Sequence, residues 1–432
     1  MADGTAVSVA PADPDSRTGG DVRAATPRTG PTTGRAPRLL QVTLVATLVL
    51  APLEGYVQEV NGDLGKLAPA LFLLAWAGDR LLRDRPIGVS HPVAWCSAGL
   101  LAVVLLSTAV NSDNGYALLY LVRWIPFLVL AVALVDVLAK DVDPWVALYA
   151  LVAGAAVSGL GAITSFAFLG SPRATGPLED PNDLAYVLTA AVPIVLLIVR
   201  RRARPRVQLA WGLVLALLVV GAAATFSRGG ILAIAAIVLW ALLRGVVPAR
   251  SLVVAAGLLA VVAAPILVVA GAVFEEALAQ KQYIAATNVD TRLLRWQAAA
   301  RMLADNPLLG VGPGGFRGQY VTYSGFAELA ERTPVAHEMY LEVGAELGLL
   351  GLVLFLGAIV AGLLATERAI RRRRGATDDP FDALLLAALA VQGSLLAIAL
   401  SSIFLSEQYY MPLWAGLAIA AAVDHRSRRG ST

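Results

Sequence analysis

The chain has 432 residues, 58% of them apolar and only 15% charged, with a formal net charge of +3 and a mean hydropathy of +0.70. Soluble domains carry closer to a quarter charged residues, so this composition excludes a disordered chain, a secreted disulfide scaffold and a soluble dinucleotide-binding enzyme. The single cysteine, Cys96, sits in an apolar run and supports neither a disulfide framework nor a thiolate metal site.

In chain order, residues 1–36 are rich in Pro, Gly, Thr, Asp and Arg and lack apolar periodicity, which reads as a disordered cytoplasmic tail. It is not a signal peptide, because the first apolar run begins only after Arg38. Twelve transmembrane helices are then predicted, at 37–53, 66–82, 92–110, 117–139, 144–169, 184–199, 207–226, 229–243, 251–273, 337–364, 381–403 and 411–424. Runs near the ~20 residues needed to cross a bilayer must satisfy their own backbone polar groups, and helices do so. The expected fold is therefore all-α: a polytopic membrane protein of about 12 transmembrane helices, with one large external loop containing an amphipathic helix. Its parts are a tail 1–36, helices 1–9 over 37–273, the loop 274–336, helices 10–12 over 337–424 and a basic cytoplasmic tail 425–432. Placing both termini in the cytoplasm puts the clusters Arg80/Arg83/Arg85, Arg200–Arg206, Arg371–Arg374 and Arg426–Arg429 inside, as the positive-inside rule expects.

The loop 274–336 has internal order. Asp290 or Thr291 can cap a helix, Val289, Leu293, Trp296, Ala300 and Leu303 recur at helical spacing, and Asn306-Pro307 stops it. Such a helix is expected to lie on the membrane with Trp296 at the interface.

Gly310-Val311-Gly312-Pro313-Gly314-Gly315 fits a dinucleotide fingerprint, but no strand precedes it and Pro313 donates no N–H, so a turn that folds the loop back is expected. Asp141-Val142-Asp143 resembles a metal-holding acidic pair and reads instead as a solvated loop. Gly344 and Gly348 form a small-xxx-small pair, read as close helix packing.

Arg123 lies within the fourth helix, where an ionisable group is either functional or reaches out to the interface. Arg173 opens the external stretch 173–183, and Arg228 lies in Phe226-Ser227-Arg228-Gly229-Gly230 with two glycines to free its backbone. Arginine suits a diphosphate because its planar fork donates two parallel hydrogen bonds and stays charged; the alternative is an interfacial anchor or an ion pair to Glu179 or Asp180. His337, the one histidine expected outside, begins the tenth helix, where it is structural or a proton acceptor. Glu338, Glu342 and Glu346 follow as an acidic stripe that needs partners, with the arginines as candidates.

Three blocks together resemble the O-antigen ligase and O-antigen polymerase superfamily of bacterial membrane glycosyltransferases. They are Arg173-Ala174-Thr175-Gly176 with Asp180-Pro181-Asn182; Ser227-Arg228-Gly229-Gly230; and Arg292, Trp296, Asn306–Gly314, Ala336-His337-Glu338-Met339-Tyr340 and Glu346–Gly351. Glu338 departs from the small polar residue common after the histidine in that family. The resemblance implies a fold similar to lipid-dependent multi-span glycosyltransferases. It also implies a donor glycan on undecaprenyl diphosphate at the outer face of the cytoplasmic membrane. Arg228 and Arg173 would neutralise the diphosphate, His337 would orient or deprotonate the acceptor hydroxyl, and Arg292 would contact glycan or diphosphate. Arg123, Glu338 and Trp296 complete the expected substrate-binding set. No metal, cofactor or nucleic-acid partner is expected; the partners are the lipid-linked glycan, membrane lipids and an acceptor lipid, polymer or protein. Ligation, polymerisation and a non-catalytic transport or scaffold role remain the readings, transport being disfavoured because no inverted repeat is evident.

Overall fold

The computed structural model describes Met1 and residues 38–87, 90–201, 204–248, 250–251, 291–329 and 334–429. The rest of the tail 1–36, all but the first residue of the predicted helix 251–273 and the start of the long loop lie outside these residues. The described chain is all-helical. Helix α1 (Arg38–Leu50) runs through a 3-10 turn (Ala51–Leu53) into α2 (Glu54–Val60), followed by α3 (Leu64–Leu82), α4 (Pro92–Val110), α5 (Ala117–Lys140) and α6 (Pro144–Ile163), which a π-helical turn extends (Thr164–Phe168). Then come α7 (Pro181–Arg201), α8 (Pro205–Ala224), α9 (Arg228–Leu243), α10 (291–305), α11 (Gly315–Tyr323), α12 (Met339–Ala376), α13 (Ala383–Ser401) and α14 (Met411–Arg429).

Local sequence explains several starts. His91, Asp143, Ser227, Glu338 and Asp382 each accept a first-turn backbone N–H through the side chain, and Pro92 and Pro144 occupy the first helical position, where no N–H is needed. Among the described residues, eight helical segments are long and apolar enough to cross a membrane: Arg38–Val60, Pro92–Val110, Ala117–Lys140, Pro144–Phe168, Pro181–Arg201, Pro205–Ala224, Met339–Ala376 and Ala383–Phe404. The protein is a polytopic membrane protein. Three more predicted spans are helices that fall short of that measure: α3 and α14 because charges enter them (Lys66, Asp79 and Arg80; Asp424 to Arg429), and α9 because it has 16 residues.

The centre of the bundle is α14, whose residues Met411 to Val423 are all buried, packed against α5, α12 and α13; α13 packs in turn on α7 and α9. At the end of the bundle away from His337, charges are tied together. Arg80, with a side chain 1% exposed, pairs with Asp79 and Asp136 at 2.7 Å and with Asp141 at 2.5 Å. Asp141 also meets Arg85 at 3.0 Å, and Asp143 caps α6. Thus within Asp141-Val142-Asp143 only Asp143 is exposed as expected of a solvated loop, while Asp141 neutralises a buried guanidinium.

Helix α12 is longer than predicted and broken. It has 38 residues, and Gly348 inside it has φ 66° and ψ −169°, a conformation open only to glycine. The break frees the Ala345 and Glu346 carbonyls to accept from Val311 N (2.9 Å) and Gly312 N (3.0 Å), while Leu349 N donates to Pro307 O (2.7 Å). A Cβ on Gly348 would stand 2.4 Å from Leu308 C. The Gly344/Gly348 pair is therefore not a helix-packing motif; Gly348 is a docking point for the glycine-rich turn, which does fold the loop back onto the bundle.

Candidate functional site

The block 173–182 is held against the helix ends by its own arginine. Arg173 Nε donates to Thr225 O (2.8 Å) and its Nη2 to Asn182 Oδ1 (3.0 Å), while Asp180 Oδ1 accepts from Asn182 N (2.7 Å). Arg173 thus bonds to a carbonyl and an amide rather than ion-pairing with Glu179 or Asp180. Burial lowers its pKa from the usual arginine value, with Asp180 opposing.

Arg228 is the first residue of α9 and is exposed, with Ser227 Oγ accepting from Gly230 N at 3.3 Å. Gly229 and Gly230 are helical and buried rather than free. A Cβ on Gly230 would lie 2.9 Å from Ala185 Cβ, and one on Gly229 would lie 3.3 Å from Ser401 O, so the glycines let the start of α9 pack closely. Arg292, on α10, completes the group: burial lowers its pKa first, then the like charge of Arg228, with Asp180 opposing and Arg173 and Arg295 adding to the repulsion. Three predicted arginines from three distant stretches thereby act on one another: Arg292 feels both Arg228 and Arg173, and Asp180 acts on Arg292 and Arg173. Concentrated positive charge of this kind suits a diphosphate.

Beside this group is an open cavity of ≈ 770 Å³ lined by Arg123, His337, Arg295, Arg317, Asp183, Glu54 and Tyr410, among others. Arg123 sits 5.0 Å from the Tyr120 ring centre and Arg317 5.8 Å from it, so one aromatic ring carries both guanidiniums at the cavity wall. The buried Arg317 Nε has no hydrogen-bond partner among the described residues.

His337 lies just before α12, not within it: Glu338 is the N-cap and Met339 the first helical residue. Its φ of 52° is in the left-handed region, uncommon for a side-chain-bearing residue, and the neighbouring backbone is held on both strands of the turn. Trp296 Nε1 donates to Ala336 O (3.1 Å), Arg295 Nη1 to Val335 O (3.4 Å), and Ala336 N to Glu342 Oε2 (2.8 Å). Arg295 is itself 6% exposed and gripped by both oxygens of Glu328, at 3.2 and 3.1 Å. Glu328 also accepts from the Tyr320 hydroxyl.

Several expectations change here. Trp296 gives its indole N–H to the carbonyl just before His337. The packed face of α10 is Arg295, Ala298, Ala299 and Met302, whereas Leu293 and Ala300 are exposed, because Met302 and the alanines fit against Val311, Phe316, Tyr320 and Ala336; Val289 lies outside the described residues. Glu338 faces the helix start, accepting from Leu341 N, and burial pushes its pKa up to about 7. The acidic stripe is met mainly by neutral groups. Glu342 accepts from Ser406 Oγ (2.6 Å) and Gln408 Nε2 (2.8 Å), and Glu346 lies against the amides of Gly314 and Phe316 and the Tyr409 hydroxyl (3.5 Å). These carboxylates anchor loops instead of binding arginines.

Arg295, Arg317, Asp183 and Glu407 were not singled out from sequence. Arg295 stands one helical turn after Arg292 and Arg317 directly after the glycine-rich turn, spacings that carried the signal for the first two. Glu407 hydrogen-bonds Asp183 across the bundle, a pairing no local pattern announces; burial first, then Asp183, drives its pKa well up.

No set of three or more His, Cys, Asp or Glu among the described residues is arranged to hold a metal ion. Residues 212–356 match the family model described as O-antigen ligase, a segment that contains Arg228, Arg292, Trp296, His337, Glu338 and Gly348. No curated protein sequence matches the chain. The family match covers about a third of the chain and, in a protein with a bundle of membrane-length helices, supports a relationship to the O-antigen ligase superfamily.

Proposed function

We propose that this protein moves a glycan from an undecaprenyl-diphosphate carrier to an acceptor hydroxyl during cell-surface polysaccharide assembly. In this reading the His337 end of the bundle faces the outside of the bacterial cytoplasmic membrane and both termini face the cytoplasm. The observation that carries it is the meeting of His337, Arg123, Arg295 and Arg317 in one cavity beside the Arg173, Arg228 and Arg292 group.

The chemistry follows from those positions. His337 takes the proton of the acceptor hydroxyl as its oxygen forms a bond to the anomeric carbon. The bond from that carbon to the diphosphate oxygen breaks, and the electron pair leaves on the diphosphate. Arg228 and Arg292 neutralise the departing charge, which a low-dielectric, preorganised site does better than water. Arg173 holds the 173–182 block that shapes this group, Arg123 with Arg317 receives the glycan side of the substrate, and Trp296 and Glu338 fix the His337 backbone. No role for a metal is invoked.

The test is release of undecaprenyl diphosphate by the full chain in liposomes supplied with a lipid-linked oligosaccharide and candidate acceptors. His337→Ala is expected to slow release by about 10²–10⁴-fold, the range of a positioned general base, and Arg228→Ala by about 10²-fold or more. A single product means ligation and a ladder means polymerisation. Release by both variants at the wild-type rate overturns the site; no release by folded wild type overturns the enzyme.

A further inference from the structure

A second cavity, of ≈ 190 Å³, lies at the opposite end of the bundle, where α7, α9 and α12 end and α13 begins. It shares no residue with the cavity around His337. Arg200, Arg244 and Arg374 line one side, and the buried Leu385, Leu386 and Leu389 line the other. The cations are held by backbone. Arg200 Nη1 donates to Gly245 O (2.9 Å) and Val246 O (2.8 Å), and Arg374 Nη2 donates to Arg244 O (3.3 Å). Arg244 pairs with Glu367, which Arg371 also holds at 2.9 Å. Two carboxylates share the rim. Asp379 Oδ1 accepts from Phe381 N (2.9 Å) and so closes its own turn, and Asp378 lies beside it.

Arg200 and Arg374 therefore present their charge to the cavity with no carboxylate partner among the described residues. Guanidiniums at the end of a membrane helix bundle match an anionic headgroup. A phosphodiester takes the N–H donors, while the buried leucines only close the far side of the cavity. A basic pocket between helix ends is the expected form of an anionic-lipid site. We propose that this cavity binds the phosphate headgroup of an anionic membrane lipid, apart from the glycan-transfer site and independent of its chemistry.

The experiment places the full chain in nanodiscs of phosphatidylcholine with phosphatidylglycerol, transfers it to detergent and reads the retained lipid by native mass spectrometry. Wild type is expected to keep phosphatidylglycerol in preference to phosphatidylcholine. Arg374→Gln, at an exposed position, is expected to keep about fivefold less, the factor that matches about 1 kcal/mol per basic residue at a charged membrane surface. Arg206→Gln, at an exposed arginine that does not line the cavity, is expected to behave as wild type. Arg200→Gln is avoided because its bonds also hold the Gly245–Val246 turn. Equal retention by Arg374→Gln and wild type, or equal retention of phosphatidylcholine, overturns the proposal. Displacement of the lipid from wild type by millimolar glycerol 3-phosphate overturns it too, since a soluble phosphate would then be the ligand.

Discussion

Replacing Gly348 by alanine, with Gly344→Ala alongside, separates a docking point from a packing motif. In Gly348→Ala the backbone of a side-chain-bearing residue would have to adopt φ 66° and ψ −169°, at a cost of about 1–3 kcal/mol. Its Cβ would start 2.4 Å from both Leu308 C and Leu308 O, backbone atoms that a rotamer change cannot move. Reaching ordinary van der Waals separation takes a shift of about 1 Å. That shift strains the hydrogen bonds from Leu349 N to Pro307 O, Val311 N to Ala345 O and Gly312 N to Glu346 O. At about 1 kcal/mol net each, the total with the backbone term is roughly 4–6 kcal/mol, against a whole-domain margin of about 5–15 kcal/mol. The expected result is that the turn leaves α12, because undocking relieves all of these terms together while the rest of the bundle stays packed. Gly344 lies in regular helix, and a Cβ there meets the flexible end of Leu303 at 3.3 Å, so Gly344→Ala is expected to be nearly neutral. Amide hydrogen exchange over 306–323 reads the difference: fast exchange at Val311 and Gly312 in Gly348→Ala and wild-type protection in Gly344→Ala. Equal protection in both variants would refute the docking argument.

Trp296→Phe keeps an aromatic ring but removes the N–H given to Ala336 O at 3.1 Å. Losing one such bond at about 0.5–1.5 kcal/mol should slow glycan transfer by roughly 2–13-fold through misplacement of His337, with KM little changed; an unchanged kcat would remove Trp296 from the support of the histidine. Glu338 has a folded-state pKa of about 7, above its ordinary 4.5, because burial disfavours the charged form. Its contribution to stability is therefore complete below pH 4.5 and is lost as pH rises through about 7. The thermal midpoint of wild type should fall over that window and that of Glu338→Gln should fall less; parallel curves would show that another group controls the trend.

Glu338 and Trp296 also show why side-chain partners escaped the sequence. Their residue types flagged them as substrate contacts, yet their polar atoms turn inward, to Leu341 N and the Ala336 carbonyl, because buried backbone groups near the start of α12 need partners. Arg295 differs from Arg292 in no local sequence feature, yet it is the buried arginine that Glu328 grips and that ties α10 to the cavity. The Asp183–Glu407 contact joins the start of α7 to the turn before α14, and nothing in either stretch names the other.

Hydropathy by itself determined that the chain is an all-helical membrane protein and where most of its helices run, since a bilayer leaves an apolar segment of that length few alternatives. Local chemistry determined where the 173–183, 227–230 and 306–351 blocks stand along those helices. Which residues share a cavity, which carboxylates anchor loops and why Gly348 must be glycine were decided only by tertiary structure. Those outcomes depend on contacts between segments far apart in the chain: Arg173 with Thr225, Trp296 with Ala336, and the glycine-rich turn with the break in α12. Periodicity reports which face of a helix is apolar, but only packing selects the neighbour that face meets.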